Sequence, residues 1–208
     1  MRIDLHVHTS PRSPCSSIDP YEMIMEAKRL CLDGLCLTEH HSLWNPHDVD
    51  QLIKNEDIKI FRGNEITTNQ GDILIFGYEG EIPDVITIQE LHQRVKEVEG
   101  LMIAAHPFRG FLLFGIGQLQ MTVDKACERR VFQYVDAVEI KNNKLNDDEN
   151  NMAYQVSQRL GLPGTAGSDA HRIDEIGKCI TIFERDVQNE RELIQEICAG
   201  RFEISSAR

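Results

Sequence analysis

The stretch Asp4-Leu5-His6-Val7-His8-Thr9-Ser10, "DLHVHTS", decides how this chain reads. It has the composition of a strand end, and alternate side chains of a strand share a face. His6 and His8 therefore point the same way. Two imidazoles on one face are either an odd polar patch or half of a metal site, and the rest of the chain separates those alternatives.

Outward from this segment, short apolar runs of strand type recur at 3–6, 34–38, 58–62, 72–77, 101–105, 137–140 and 179–183. Helix starts lie between them. Asp19 stands before Pro20 with Glu22 three residues on, and the pairs Thr87/Glu90, Asn146/Glu149 and Asn189/Glu192 repeat the capping pattern. Helical spacing turns Ile24, Ala27 and Cys31 inward after the first cap, and Leu91, Val95 and Val98 after the second, with a stop at Gly100. Ala153, Val156 and Leu160 follow the third, closed by Gly161, while Leu193 and Ile197 follow the fourth, up to Gly200. Strand and helix alternate with short connections, which predicts a largely parallel sheet and an α/β fold. About seven strands suit a distorted barrel. No linker, repeat or low-complexity tract appears, so the chain reads as one domain over residues 1–208.

Composition sets outer limits. With 208 residues, 41% of them hydrophobic and 27% charged, the chain can bury one sizeable core. A net charge of −12 disfavours long nucleic acid as a partner. The polar start shows no leader, and no apolar run approaches the ~20 residues of a membrane span, so a cytoplasmic location without membrane contact is expected. The six cysteines form no C-x-x-C pair and read as reduced thiols. Cys31, Cys36, Cys179 and Cys198 lie among apolar residues and suit core packing; Cys15, in "SPCSS", does not.

The decisive pattern is what stands at each strand end. His6 and His8 are followed by Glu39, His40 and His41 in "LTEHHS", Glu65 in "RGNEIT", His106 in "AAHPF", Glu139 with Lys141 and Asn142, and Asp169 with His171 in "GSDAH". In barrels of parallel strands that edge gathers the active site. His47 and His92 lie away from it and read as ordinary surface residues. No G-x-S-x-G, P-loop or H-E-x-x-H segment is present.

Read together, "DLHVHTS", "LTEHHS", "GNEIT", "AAHPF" and "TAGSDAH" resemble the motifs of the PHP (polymerase and histidinol phosphatase) superfamily, in family order from residue 3 to about 183. The resemblance implies a distorted (β/α)7, TIM-like barrel with two or three divalent metals at its mouth, and phosphate-ester hydrolysis. It implies that His6, His8, Glu65 and Asp169 hold a first metal, that Glu65 bridges to a second held by His106, and that His40 and His171 hold a third. Mixed nitrogen and oxygen donors suit Mn, Fe or Zn. Three positions depart from the pattern. Asp72, in "GDILIFG", stands where the family often has a histidine ligand and is expected to ligate through oxygen, which hardens that site toward Mn or Fe. "PRSPCSS" offers Cys15 where an aspartate is common. "TEHH" replaces T-D-H, which makes Glu39 an acceptor that orients a ligand imidazole.

These residues predict a metal-dependent phosphoesterase in which a metal-bound hydroxide attacks phosphorus. The expected substrate is a small phosphorylated metabolite or nucleotide. Glu139 joins Glu39 behind the ligands, and Arg109, three residues after His106, is the candidate phosphate-binding side chain. The glycine-bounded stretch 110–117 is a candidate lid. Alternatives are a catalytically silent metal-holding module that binds a partner, a nuclease for short oligonucleotides, and amide or ester hydrolysis on a similar barrel.

Overall fold

The structure is a computed structural model that describes residues 1–110 and 121–206. The expected lid segment falls largely on 111–120 and so lies outside the described residues. Nine strands form one sheet: β1 (Arg2–Val7), β2 (Gly34–His40), β3 (Lys59–Thr68), β4 (Gly71–Phe76), β5 (Leu101–Ala104), β6 (Ala137–Asn142), β7 (Gly164–Gly167), β8 (Cys179–Phe183) and β9 (Phe202–Ser206), in the order β7-β6-β5-β4-β3-β2-β1-β8-β9. The sheet curls until the segment after β7 bridges β1, at Val7 and Ala170, and makes a nearly closed, TIM-like barrel.

The seam is stitched largely by side chains. The Thr181 hydroxyl on β8 accepts from Ala166 N and donates to Ala166 O, both at 3.0 Å. The Asp4 carboxylate accepts from Ser168 N and Gly177 N, both at 2.9 Å. Burial pushes Asp4 up to about 6 against the pull of these N–H donors.

The α/β barrel matches the expectation, with corrections. The sheet is mixed, because β4 runs antiparallel to β3 and β5, and β8 runs antiparallel to β1 and β9. A tight hairpin at Asn69–Gly71 reverses the chain, with Gly71 at φ 111°, so the start of β4 lies at the mouth beside the end of β3. The short β7, "GTAG", and the polar β9 carry too few apolar residues to announce themselves.

Among the described residues the α-helices are α1 (Pro20–Arg29), α2 (Pro46–Leu52), α3 (Ile88–Lys96), α4 (Val123–Cys127), α5 (Asp147–Leu160) and α6 (Glu190–Ala199). Asp19, Thr87, Asn146 and Asn189 cap four of them as expected, and Asn45 caps α2, which the apolar spacing did not reveal. Val98 and Leu160 are exposed rather than inward, since one lies beyond the last turn of α3 and the other ends α5. Cys31 and Cys198 are exposed as well, whereas Cys36 and Cys179 are buried. Cys31 falls past the end of α1 with φ 54°, where helical spacing no longer applies.

Three apolar clusters hold the barrel. Met23, Ile24 and Ala27 of α1 and Val49 and Leu52 of α2 cover Val7, Leu35 and Leu37 on one outer face. Ile88, Leu91 and Val95 of α3 and Ala153 and Val156 of α5 cover Ile66, Ile73, Ile75 and Val138 on another. Ile3, Leu5, Cys36, Phe61, Phe76 and Leu101 fill the inner face, and Leu193 and Ile197 of α6 plug the end opposite the mouth. Each such fully buried aliphatic side chain contributes about 1.5–3 kcal/mol. One detail positions the chemistry. Leu5 packs inward and Val7 outward, because the β1–β2 register shifts between Asp4 and Val7. That irregularity changes the parity of β1 and brings His6 and His8 to the inner face.

Candidate metal centre

Five strand ends converge. His6 and His8 come from β1, His40 from β2, Glu65 from β3, His106 from just past β5, and Asp169 and His171 from just past β7. His6, His8, Glu65, His106 and Asp169 are all buried, with Glu65 at 2% exposure and Asp169 at 1%. His106 and Asp169 take positive φ, 28° and 55°, a backbone conformation that non-glycine residues hold only where surroundings enforce it.

His6 Nε2 lies 3.0 Å from His8 Nε2 and 3.4 Å from Glu65 Oε2, and Glu65 Oε2 lies 3.2 Å from His8 Nε2. Asp169 Oδ1 stands 3.7 Å from His6 Nε2 and 3.5 Å from His8 Nε2, yet accepts no hydrogen bond. A buried carboxylate oxygen without a partner needs a cation or a water. His6, His8 and Asp169 have the spacing of ligands to one metal ion, and Glu65 Oε2 flanks the same pair of imidazole nitrogens. Two imidazoles flanked by two carboxylates are a donor set that fits a divalent transition ion.

Electrostatics agree. Burial disfavours a charged His6, but the carboxylates of Glu139, Asp169 and Glu65 outweigh it and hold its pKa well above the ordinary imidazole value. His8 is also raised, against burial, by the nearby Asp169 and Glu65 carboxylates. The same contacts hold Glu65 and Asp169 far below the usual carboxylate range despite burial. Two carboxylates favour positive charge on the imidazoles between them, and a cation would meet the same pull.

His40 Nδ1 is 3.2 Å from Glu65 Oε2, and the His8 ring stacks 4.4 Å from that of His40 and lies tilted 4.5 Å from that of His171. His8, His40 and His171 form a second group with metal-ligand spacing, and His6, Glu65 and His106 form a third. Burial lowers the pKa of His40 and His171, which favours bare nitrogens there. His171 Nδ1 donates to Asp169 O at 2.9 Å, so its Nε2 carries the free lone pair.

Supporting residues fix the rings. Glu139 Oε1 accepts from His6 Nδ1 at 3.0 Å, while its Oε2 accepts from His106 N and Asn142 Nδ2 at 2.8 and 2.9 Å. Glu39 touches no imidazole. Its carboxylate accepts from Thr9 N, the Thr9 hydroxyl, Trp44 Nε1 and Ser13 Oγ, and Ser13 Oγ in turn accepts from His8 Nδ1 at 3.3 Å. Glu39 thus orients His8 through Ser13, a residue that no spacing in the sequence points to. Glu175, also missed, accepts from His171 N at 2.9 Å.

Two of the positions that depart from the family pattern stand apart: Asp72, an expected ligand, and Cys15, which reads as a loop thiol. Asp72 joins none of the three groups among the described residues. It pairs with Thr67, while Glu65 pairs with Leu74, so Asp72 sits two residues, about 7 Å, further out along the mouth. It lines a cavity of about 170 Å³ with His106, Arg109 and Arg129. Cys15 is exposed and likewise outside the groups, its thiol pKa raised by burial and by the nearby Glu65, Asp169 and Glu39 carboxylates.

Of the basic residues beside the motifs, Arg12 pairs with Asp48 and lies over Trp44, Lys141 pairs with Asp147, and Arg172 with Asp174. Arg109 turns inward onto Asp169 Oδ2 and lies 3.4 Å from His106 Nε2. His47 lies in α2, and His92 Nδ1 donates to Tyr134 O, both away from the centre.

The PHP domain model matches residues 4–101, and the model of the PHP-associated region matches residues 147–202. Both segments supply strands and candidate ligands to the one barrel. The chain belongs to the PHP superfamily. It is 28% identical over 191 residues to the uncharacterized protein MJ0417 of Methanocaldococcus jannaschii, covering 88% of this chain and 70% of that protein. A two-domain protein of Bacteroides vulgatus, containing a predicted PHP-like metal-dependent phosphoesterase, superposes with TM-score 0.69 at 20% identity over 99% of this chain and 64% of its own. The histidinol phosphate phosphatase of Lactococcus lactis, in complex with zinc, L-histidinol and phosphate, superposes with TM-score 0.50 at 17% identity over 97% of this chain and 94% of its own.

Proposed function

We propose that this protein is a metal-dependent phosphoesterase that hydrolyses a small phosphorylated metabolite or nucleotide. The observation that carries the reading is the buried set of His6, His8, Glu65 and Asp169, in which each carboxylate lies 3.2–3.7 Å from both imidazole nitrogens and Asp169 Oδ1 is unpartnered. Two or three divalent ions, Mn, Fe or Zn, would be held by these residues together with His106, His40 and His171. Bound there, such ions supply Lewis acidity toward phosphoryl oxygens and lower the pKa of coordinated water.

The protein's own groups do the rest. Glu139 keeps the His6 proton on Nδ1, so Nε2 faces the centre as a base. Ser13 and Glu39 do the same for His8. Arg109, 44% exposed at the mouth, offers its outer N–H groups to a phosphate oxygen. The net charge of −12 supports a small substrate over long nucleic acid, and no described helix is long and apolar enough to cross a membrane, in keeping with a cytoplasmic enzyme.

The test is hydrolysis of a chromogenic aryl phosphate with added Mn²⁺. Turnover that His8→Ala or Asp169→Ala abolishes is the expected result. A metal-loaded protein inert toward monoesters, diesters and nucleotides overturns it. That outcome favours the alternative of a metal-holding module without catalysis, for which the displacement of Asp72 from the ligand groups speaks.

A further inference from the structure

His106 Nε2 stands 2.8 Å from Glu65 Oε1 and 3.9 Å from Asp169 Oδ2, which outlines a second place for a cation on the far side of Glu65 from His40. That place already has a positive group against it. The Arg109 guanidinium contacts Asp169 Oδ2 through Nη2 and approaches His106 Nε2 to 3.4 Å through Nη1. One imidazole nitrogen cannot both donate to Glu65 and accept from Arg109. A cation held by His106 and Glu65 needs the lone pair that Arg109 approaches, and it meets a full positive charge within a few ångströms. The residue that would strengthen such a cation's hold, Asp72, lies outside the ligand groups.

We infer that Arg109 is the placeholder for a divalent cation on the His106 side of the centre, competing with it for His106 and Asp169. The centre of this chain therefore fills unequally. The His6–His8–Glu65–Asp169 cage loads first, and the His106 side loads only when Arg109 swings away from Asp169. A phosphate oxygen at the mouth is one anion able to draw it off. Arg109 thereby sets metal stoichiometry as well as facing the substrate.

This inference rests on the metal reading above, and one experiment tests the two separately. The full chain, stripped with chelator and shown folded by circular dichroism, is titrated with Mn²⁺ alone by calorimetry, with bound metal counted after dialysis. Arg109→Gln is expected to bind one more equivalent than wild type at equal free Mn²⁺, or to bind its weakest equivalent at least about tenfold more tightly. Arg109→Met, which keeps the stem and loses the charge, gives the same gain and stands in if the glutamine variant folds poorly. Variants that load as wild type does, or more weakly, overturn the inference while leaving the metal reading intact. A wild type that takes up no Mn²⁺ fails the metal reading, and this inference with it.

Discussion

Gly167, the last residue of β7, lies so close to His6 on β1 that a Cβ built on it would come within 2.5 Å of His6 Cβ and 2.9 Å of Glu139 Oε1. The glycine is there for space rather than for an unusual backbone. It lets the last strand of the parallel arc lean onto the first, which closes the barrel around the centre.

Gly167→Ala is therefore expected to destabilise the fold by about 1–3 kcal/mol, because backbone and a ligand stem must both shift. Chemical denaturation measures the loss, and Mn²⁺ affinity is expected to fall with it. Unchanged stability and affinity would show that the contact between the strands yields freely.

Glu139 holds His6 by one oxygen and His106 N with Asn142 Nδ2 by the other. Glu139→Gln leaves one acceptor where two are used, and the His6 ring loses its charged partner. Metal affinity is expected to drop about 10–100-fold with little change in far-ultraviolet circular dichroism. Calorimetric titration with Mn²⁺ reads it.

The carboxylates around them hold the His6 pKa well above the ordinary imidazole value and raise that of His8, so without metal the pair retains protons more strongly than free imidazoles do. A cation must displace those protons, so affinity falls as pH is lowered and recovers as it rises. Each proton displaced adds about a tenfold loss of affinity per pH unit below the raised values. Titration at pH 7 in two buffers of different ionisation heat is expected to report net proton release. Buffer-independent heats would contradict the prediction.

Asp4 bears on stability instead. Its carboxyl titrates at about 6 in the fold, above the value near 4 of an unfolded chain. The folded state then holds a proton that the unfolded state releases between those values. The stability due to protonated Asp4 is complete below about pH 4 and lost as pH rises through 6, an order-of-magnitude swing of about 3 kcal/mol. Asp4→Asn removes this contribution, so the stability gap between wild type and variant is expected to narrow as pH goes from 4 to 7. Urea denaturation at pH 4, 5, 6 and 7 checks the trend.

Much of this was legible in the residues alone. Ligand types recur beside "DLHVHTS", "LTEHHS", "GNEIT", "AAHPF" and "GSDAH", and caps at Asp19, Thr87, Asn146 and Asn189 mark where helices return the chain to the next strand. Local periodicity and capping are written in neighbouring residues, so they survive without coordinates. Other features belong to the tertiary structure. The register shift in β1 decides that His6 and His8 both face inward, and the β3–β4 pairing decides that Asp72 lies beyond Glu65. Ser13 reaches Glu39 and His8, and Arg109 reaches Asp169, only because distant segments are packed together. A side chain's partner depends on strand register and on which segments the closing barrel brings into reach, and no local pattern encodes either.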